Sequence, residues 1–180
     1  SNIKIVDELL FLVNKDNKVY ILNLLSGEKI WEYSTDRSTL NTKYKNIISY
    51  SGNNLVLLNT NGSVYAIDIL NKNIKWFYNV NSIVASKNDI FNGISNIIDN
   101  RSVLIVGSNS ISALDLENGN LIWQKKYNIE VDPLVSSELI LILTKENYLT
   151  FLSKETGEVI WSSKLSNMRK IYSDKKFKNK

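Results

Sequence analysis

Four tryptophans, Trp31, Trp76, Trp123 and Trp161, each end a copy of one short pattern that recurs about every 45 residues, the last gap being the shortest. The copies are VYILNLLSGEKIW (19–31), VYAIDILNKNIKW (64–76), ISALDLENGNLIW (111–123) and LTFLSKETGEVIW (149–161). Each reads as a strand with period-2 alternation, a tight turn, and a returning apolar strand that closes on the indole. A glycine stands four positions before the tryptophan in three copies, as Gly27, Gly119 and Gly157. Eight positions before it stand Asn23, Asp68, Asp115 and Ser153, short polar side chains able to bond the turn backbone. The second copy has Lys72 in place of the glycine, so its turn is expected to be longer or bulged. Self-similarity at this period marks a solenoid, a propeller or an array, and units made of strands point to propeller blades.

Four strands can be read in each unit. They are Ile3–Val6, Leu9–Val13, Val19–Asn23 and Lys29–Tyr33; Ile47–Tyr50, Leu55–Asn59, Val64–Asp68 and Ile74–Tyr78; Ile94–Ile98, Val103–Gly107, Ile111–Asp115 and Leu121–Lys125; and Leu134–Ser136, Leu139–Thr144, Leu149–Ser153 and Val159–Lys164. Successive antiparallel hairpins of this kind are blade architecture, and no segment has a helical period with caps. The expected fold is all-β, with blades at about 3–33, 47–78, 94–126 and 134–165. A basic tail follows at 166–180.

The connections carry the individuality of the chain. The segment from Asn79 to Gly93 holds Ile83, Val84, Ile90 and Phe91. These four are candidates for contact with a partner, although covering a blade edge is the more economical role for them. For the tryptophans the structural role leads clearly, since a ligand cage has no use for one indole per blade, and each buried ring removes about 150–250 Å² of surface from water.

Composition narrows the chemistry. The chain has no histidine and no cysteine, which removes the usual general base, the usual nucleophile pairs and the thiolate metal sites. No glycine-rich phosphate loop is present. No catalytic, cofactor-binding or metal-binding residue is therefore assigned, and no cofactor is expected. Ile and Asn are abundant, read here as compositional bias. The net charge of +4 is concentrated at 169–180, where six basic side chains face the single acid Asp174. The remainder is close to neutral, which disfavours nucleic acid as a partner. The apolar runs Leu9–Val13 and Leu139–Leu143 are too short to span a bilayer. The chain begins Ser1-Asn2, which reads as a trimmed product from which any leader has gone.

The repeat resembles the tryptophan-docking motif of the PQQ-like β-propellers. That family includes quinoprotein alcohol dehydrogenases and non-catalytic outer-membrane assembly lipoproteins of the BamB type, and the present chain is most similar to the latter. The resemblance implies that Trp31, Trp76, Trp123 and Trp161 pack on the neighbouring blade and donate an N–H to a carbonyl there. Gly27, Gly119, Gly157, Asp68 and Asp115 would then shape the accepting turns. It implies half of an eight-bladed ring, a periplasmic protein scaffold with the barrel-assembly insertase as partner, and outer-membrane anchoring through a removed N-terminal segment. A sensor or glycan-binding propeller is the alternative, as is a degenerate dehydrogenase relative. The dehydrogenase branch needs a vicinal disulfide, a Ca²⁺ site and an Asp base, and a chain without cysteine cannot form the disulfide. Four blades leave two open faces, and Trp161 lacks a following blade, so a homodimer or pairing with a further half is expected.

Overall fold

The computed structural model describes residues 3–36, 46–80 and 93–166. Ile83, Val84, Ile90 and Phe91, and most of the basic tail, lie outside the described residues. Among the described residues sixteen strands form four separate four-stranded antiparallel sheets, each in simple meander order. The first holds β1 (Ile3–Val6), β2 (Leu9–Val13), β3 (Lys18–Asn23) and β4 (Lys29–Ser34). The second holds β5 (Ile47–Ser51), β6 (Asn54–Leu58), β7 (Ser63–Asp68) and β8 (Asn73–Asn79). The third holds β9 (Gly93–Asp99), β10 (Ser102–Gly107), β11 (Ser110–Asp115) and β12 (Leu121–Lys126). The fourth holds β13 (Leu134–Val135), β14 (Leu139–Leu143), β15 (Tyr148–Ser153) and β16 (Val159–Lys164). The chain is an all-β array of four propeller blades.

The middle strands are apolar on both faces, and this makes the sheets stack. In blade 2, Val56, Leu58, Val64 and Ala66 face blade 3 and join Val103, Ile105 and Leu114 in one core. The alternate residues Leu55, Leu57, Tyr65 and Ile67 face blade 1 and join Phe11, Val13, Val19 and Ile21 in a second. A third core lies between blades 3 and 4, built from Leu104, Val106, Ile111, Ile140, Ile142 and Leu152. The cores therefore sit between blades, and pleat alternation assigns each side chain to one joint or the next.

One irregularity recurs at the same place in every blade. The register between the third and fourth strands shifts at Ile21/Leu22, Ala66/Ile67, Ala113/Leu114 and Phe151/Leu152. The partners on either side of each shift show that Ile30, Lys75, Ile122 and Ile160, the residues just before the tryptophans, are the extra ones. Such a bulge re-aims the next side chain. In blade 3, Leu121 pairs with Leu114, which faces blade 2, whereas Trp123 pairs with Ala113, which faces blade 4. Without the bulge, Trp123 would share the face of Leu121 and point back toward blade 2.

Candidate functional site

The candidate site is the joint between blades, and it is built alike at two places. Its accepting half is the turn between the third and fourth strands. In blade 3 the Asp115 carboxylate accepts the backbone N–H groups of Glu117 (2.9 Å) and Asn118 (3.1 Å), and the Gly119 N–H donates to the Asp115 carbonyl at 2.9 Å. In blade 4 the Ser153 hydroxyl accepts from Thr156 N–H at 3.4 Å, and Gly157 N–H donates to the Ser153 carbonyl at 2.8 Å. Gly119 and Gly157 take φ of +74° and +68°, a left-handed conformation that closes the turn and that glycine reaches without strain.

Onto each turn docks the tryptophan of the preceding blade. Trp76, only 7% exposed, donates its indole N–H to the Leu116 carbonyl at 2.7 Å. Trp123, 8% exposed, donates to the Lys154 carbonyl at 2.9 Å. The rings lie directly on the glycines. A β-carbon placed on Gly119 would lie 2.6 Å from Trp76 Cδ2, and one on Gly157 would lie 2.6 Å from Trp123 Cε3. Ion pairs flank both joints: Lys75 reaches Glu117 at 2.7 Å, and Lys125 pairs with Glu158. Lys154 also pairs with Asp99 of blade 3, and both side chains are largely buried.

The other two tryptophans are placed differently. Trp31 is half-buried against the blade 1–2 core and stacks on Tyr33, with ring centroids 5.8 Å apart. The turn it faces carries Lys72 at φ +55°. That turn is no longer than the others and its hairpin carries only the bulge common to all four, contrary to the expectation for this repeat, because lysine takes up the left-handed conformation and Asp68 still braces the loop through Asn71 N–H at 3.0 Å. Hydrogen bonds from Asn71, its backbone N–H first, hold the Asp68 carboxyl below its ordinary value. Trp161 is 42% exposed and meets Phe151 of its own blade at 5.6 Å. Among the described residues no blade follows it. Gly27, at φ +71°, has nothing within 4 Å of a β-carbon position, and the carboxamide of Asn23 braces its turn through Leu25 and Ser26 N–H.

Besides their apolar core, blades 1 and 2 are joined by a buried polar network that sequence reasoning did not find. The Asn17 side chain donates to the Asp36 carbonyl and accepts from the Thr60 hydroxyl, and Thr35 donates its hydroxyl to the Asn17 carbonyl at 2.7 Å. Tyr65 lies above this network. Its phenol is pushed up to about 12, chiefly by burial, with the Asp36 carboxylate adding to the effect. Asn96 plays a similar part across the next joint, donating to the Val56 carbonyl at 2.9 Å. Among the described residues no group of three or more carboxylates is gathered closely enough to hold a metal ion, and no helix is long and apolar enough to cross a membrane.

Over residues 1–163 the sequence matches the profile of the family described as outer membrane protein assembly factor BamB. No curated protein sequence matches the chain significantly. Among solved structures, BamB from Moraxella catarrhalis is similar over 89% of this chain and 50% of its own, with a TM-score of 0.71 and 12% identity. The computationally designed Ika8 protein is similar over 89% of this chain and 48% of its own, with a TM-score of 0.68 and 12% identity. A quinohemoprotein alcohol dehydrogenase from Pseudomonas putida HK5 is similar over 90% of this chain and 33% of its own, with a TM-score of 0.68 and 13% identity. The chain thus spans half or less of the length of these structures, and at such identities the likeness is one of fold.

Proposed function

Because the chain belongs to the family of the outer membrane protein assembly factor BamB, whose profile covers residues 1–163, we propose that it is a non-catalytic propeller scaffold. In this reading it works in the periplasm and binds protein partners during assembly of outer-membrane β-barrel proteins, the barrel-assembly insertase among them. The family match over nearly the whole chain is the observation that carries the reading. The sequence supports it, since a chain without histidine or cysteine lacks the usual acid–base and nucleophilic groups. Stacked blades offer a rigid body on which variable connections can be presented. Ile83, Val84, Ile90 and Phe91 are proposed as one such contact.

The likeness to a quinohemoprotein dehydrogenase favours a second reading, that of a dehydrogenase relative. Binding separates the two. The purified chain, captured on a sensor, should bind detergent-solubilised barrel-assembly insertase saturably. Replacing Ile83, Val84, Ile90 and Phe91 together by serine should weaken that binding while leaving the melting curve unchanged. No binding by the unaltered chain at tens of micromolar would defeat the scaffold reading.

A further inference from the structure

The two complete joints define a knob and a socket. The knob is an indole delivered by a bulged fourth strand, and the socket is a left-handed glycine four residues after a short polar side chain, with a carbonyl three residues before that glycine. The chain also carries one of each that its described residues leave unused. Trp161 is a knob aimed away from blade 3, within a fourth strand that has the same bulge. Asn23, the Leu24 carbonyl and Gly27 form a socket with the spacing of Asp115–Leu116–Gly119 and Ser153–Lys154–Gly157. Gly119 and Gly157 are buried under their indoles, whereas Gly27 is exposed.

The faces behind this knob and socket match as well. On blade 4, Ile140, Ile142 and Leu152 are buried toward blade 3, while the alternate residues Leu141, Leu143, Leu149 and Phe151 are apolar and half-exposed beside Trp161. On blade 1, Phe11, Val13, Val19 and Ile21 are buried toward blade 2. The alternate Leu10, Leu12 and Leu22 are half-exposed, and Ile3 and Ile5, paired with Leu12 and Leu10, are 54% and 57% exposed. Both faces have the composition of the inter-blade cores, and each lacks a sheet to cover it among the described residues.

We propose that the occupant of each is a second copy of this chain, joined head to tail: Trp161 of one copy lies over Gly27 of the other and donates its N–H to the Leu24 carbonyl. A two-fold axis relating the copies makes the same joint twice. The argument is continuity with an interface that already exists twice inside the chain, at Trp76 on Gly119 and at Trp123 on Gly157. It does not depend on the barrel-assembly reading.

Sedimentation of the full chain at about 10–50 µM tests the joint. Twice the 20.6 kDa monomer mass is expected, and a monomer at 50 µM overturns the proposal. Trp161→Ala removes the knob and Gly27→Asn fills the socket with a residue that tolerates the left-handed turn. Each should weaken association by at least about 30-fold, as loss of an interface hot spot does, while circular dichroism stays unchanged. Undiminished dimerisation of either variant overturns the proposal. A third variant leaves the indole and the glycine in place. Lys125 and Glu158 meet across the blade 3–4 joint, and their counterparts at the proposed joint are Ser163 and Glu28. The chain has no cysteine of its own, so Ser163→Cys with Glu28→Cys should yield a covalent dimer with a short bis-maleimide, which spans the reach of a lysine–glutamate pair as a direct disulfide does not, whereas each single variant should not. Failure of the double variant to cross-link where the unaltered chain is dimeric places the contact elsewhere and overturns the proposal.

Discussion

Four of the five glycines with positive φ among the described residues allow the packing of an indole on a turn to be separated from the strain of the turn itself. Gly52, Gly27, Gly119 and Gly157 have φ of +58°, +71°, +74° and +68°. Alanine at any of them must enter the left-handed region, at a cost of about 1–2 kcal/mol. At Gly52 and Gly27 that is the whole cost, since nothing lies within 4 Å of the added carbon. At Gly119 and Gly157 the carbon would also lie 2.6 Å from an indole ring. The ring has little freedom to retreat, because Trp76 and Trp123 are buried and tied by N–H bonds of 2.7 Å and 2.9 Å. Forcing such an overlap adds about 1–3 kcal/mol. Gly157→Ala and Gly119→Ala should therefore lose about 2–5 kcal/mol, against about 1–2 kcal/mol for Gly52→Ala and Gly27→Ala. Urea denaturation at low protein concentration, with a shared slope, reads the difference. Adding Trp123→Ala should bring the cost of Gly157→Ala down to that of Gly52→Ala, a coupling that a double-mutant cycle isolates. Equal losses at all four glycines, or no coupling between Gly157 and Trp123, would refute the idea that the rings are seated on the glycines.

Other expectations follow from the same geometry. Trp123→Ala should cost about 3–5 kcal/mol through lost burial and a cavity, whereas Trp161→Ala, measured in dilute monomer, should cost under about 1.5 kcal/mol; the two urea midpoints check this. Lys75→Ala should cost no more than about 1 kcal/mol, since Glu117 is largely exposed and its pair with Lys75 is screened. The Tyr65 phenol, pushed up to about 12 in the folded chain, binds its proton more tightly folded than unfolded. Its contribution is therefore intact below about pH 10 and is lost as pH rises from there toward about 12. Tyr65→Phe should flatten that alkaline decline in melting temperature. Incubation with PQQ and Ca²⁺ should yield no dye reduction with simple alcohols, and turnover in that assay would defeat the non-catalytic reading.

The blades were legible in the sequence because each strand repeats an apolar alternation and each unit repeats a tryptophan, and period-2 patterns survive without knowledge of the neighbours. The bulges were not. Nothing in Ile30, Lys75, Ile122 or Ile160 as residue types announces an extra position, and only the pairing across the sheet reveals it. The joint between blades 1 and 2 was hidden for a different reason. Asparagine is abundant in this chain and was read as compositional bias, yet Asn17, Asn46, Asn59 and Asn96 are all buried. Their value lies in partners such as Thr60 and the Val56 carbonyl, about 40 residues away along the chain. Lys72 shows the reverse case, a residue type that argued for an altered turn while the backbone kept the ordinary one.

The bulge before each tryptophan gives the stack a direction, and the two ends of the array should consequently melt with different optical signatures. If blade 4 frays first, the turn at Lys154–Gly157 leaves Trp123, and an indole seated in an apolar joint is released into water. If blade 1 frays first, Trp76 and Trp123 stay covered, because their sockets lie in blades 3 and 4. In the dilute monomer the only indole then affected is Trp31, which is already half-exposed. A shift of tryptophan emission to the red ahead of the main transition would then report loss of the last blade, and an early loss of strand signal without that shift would report loss of the first.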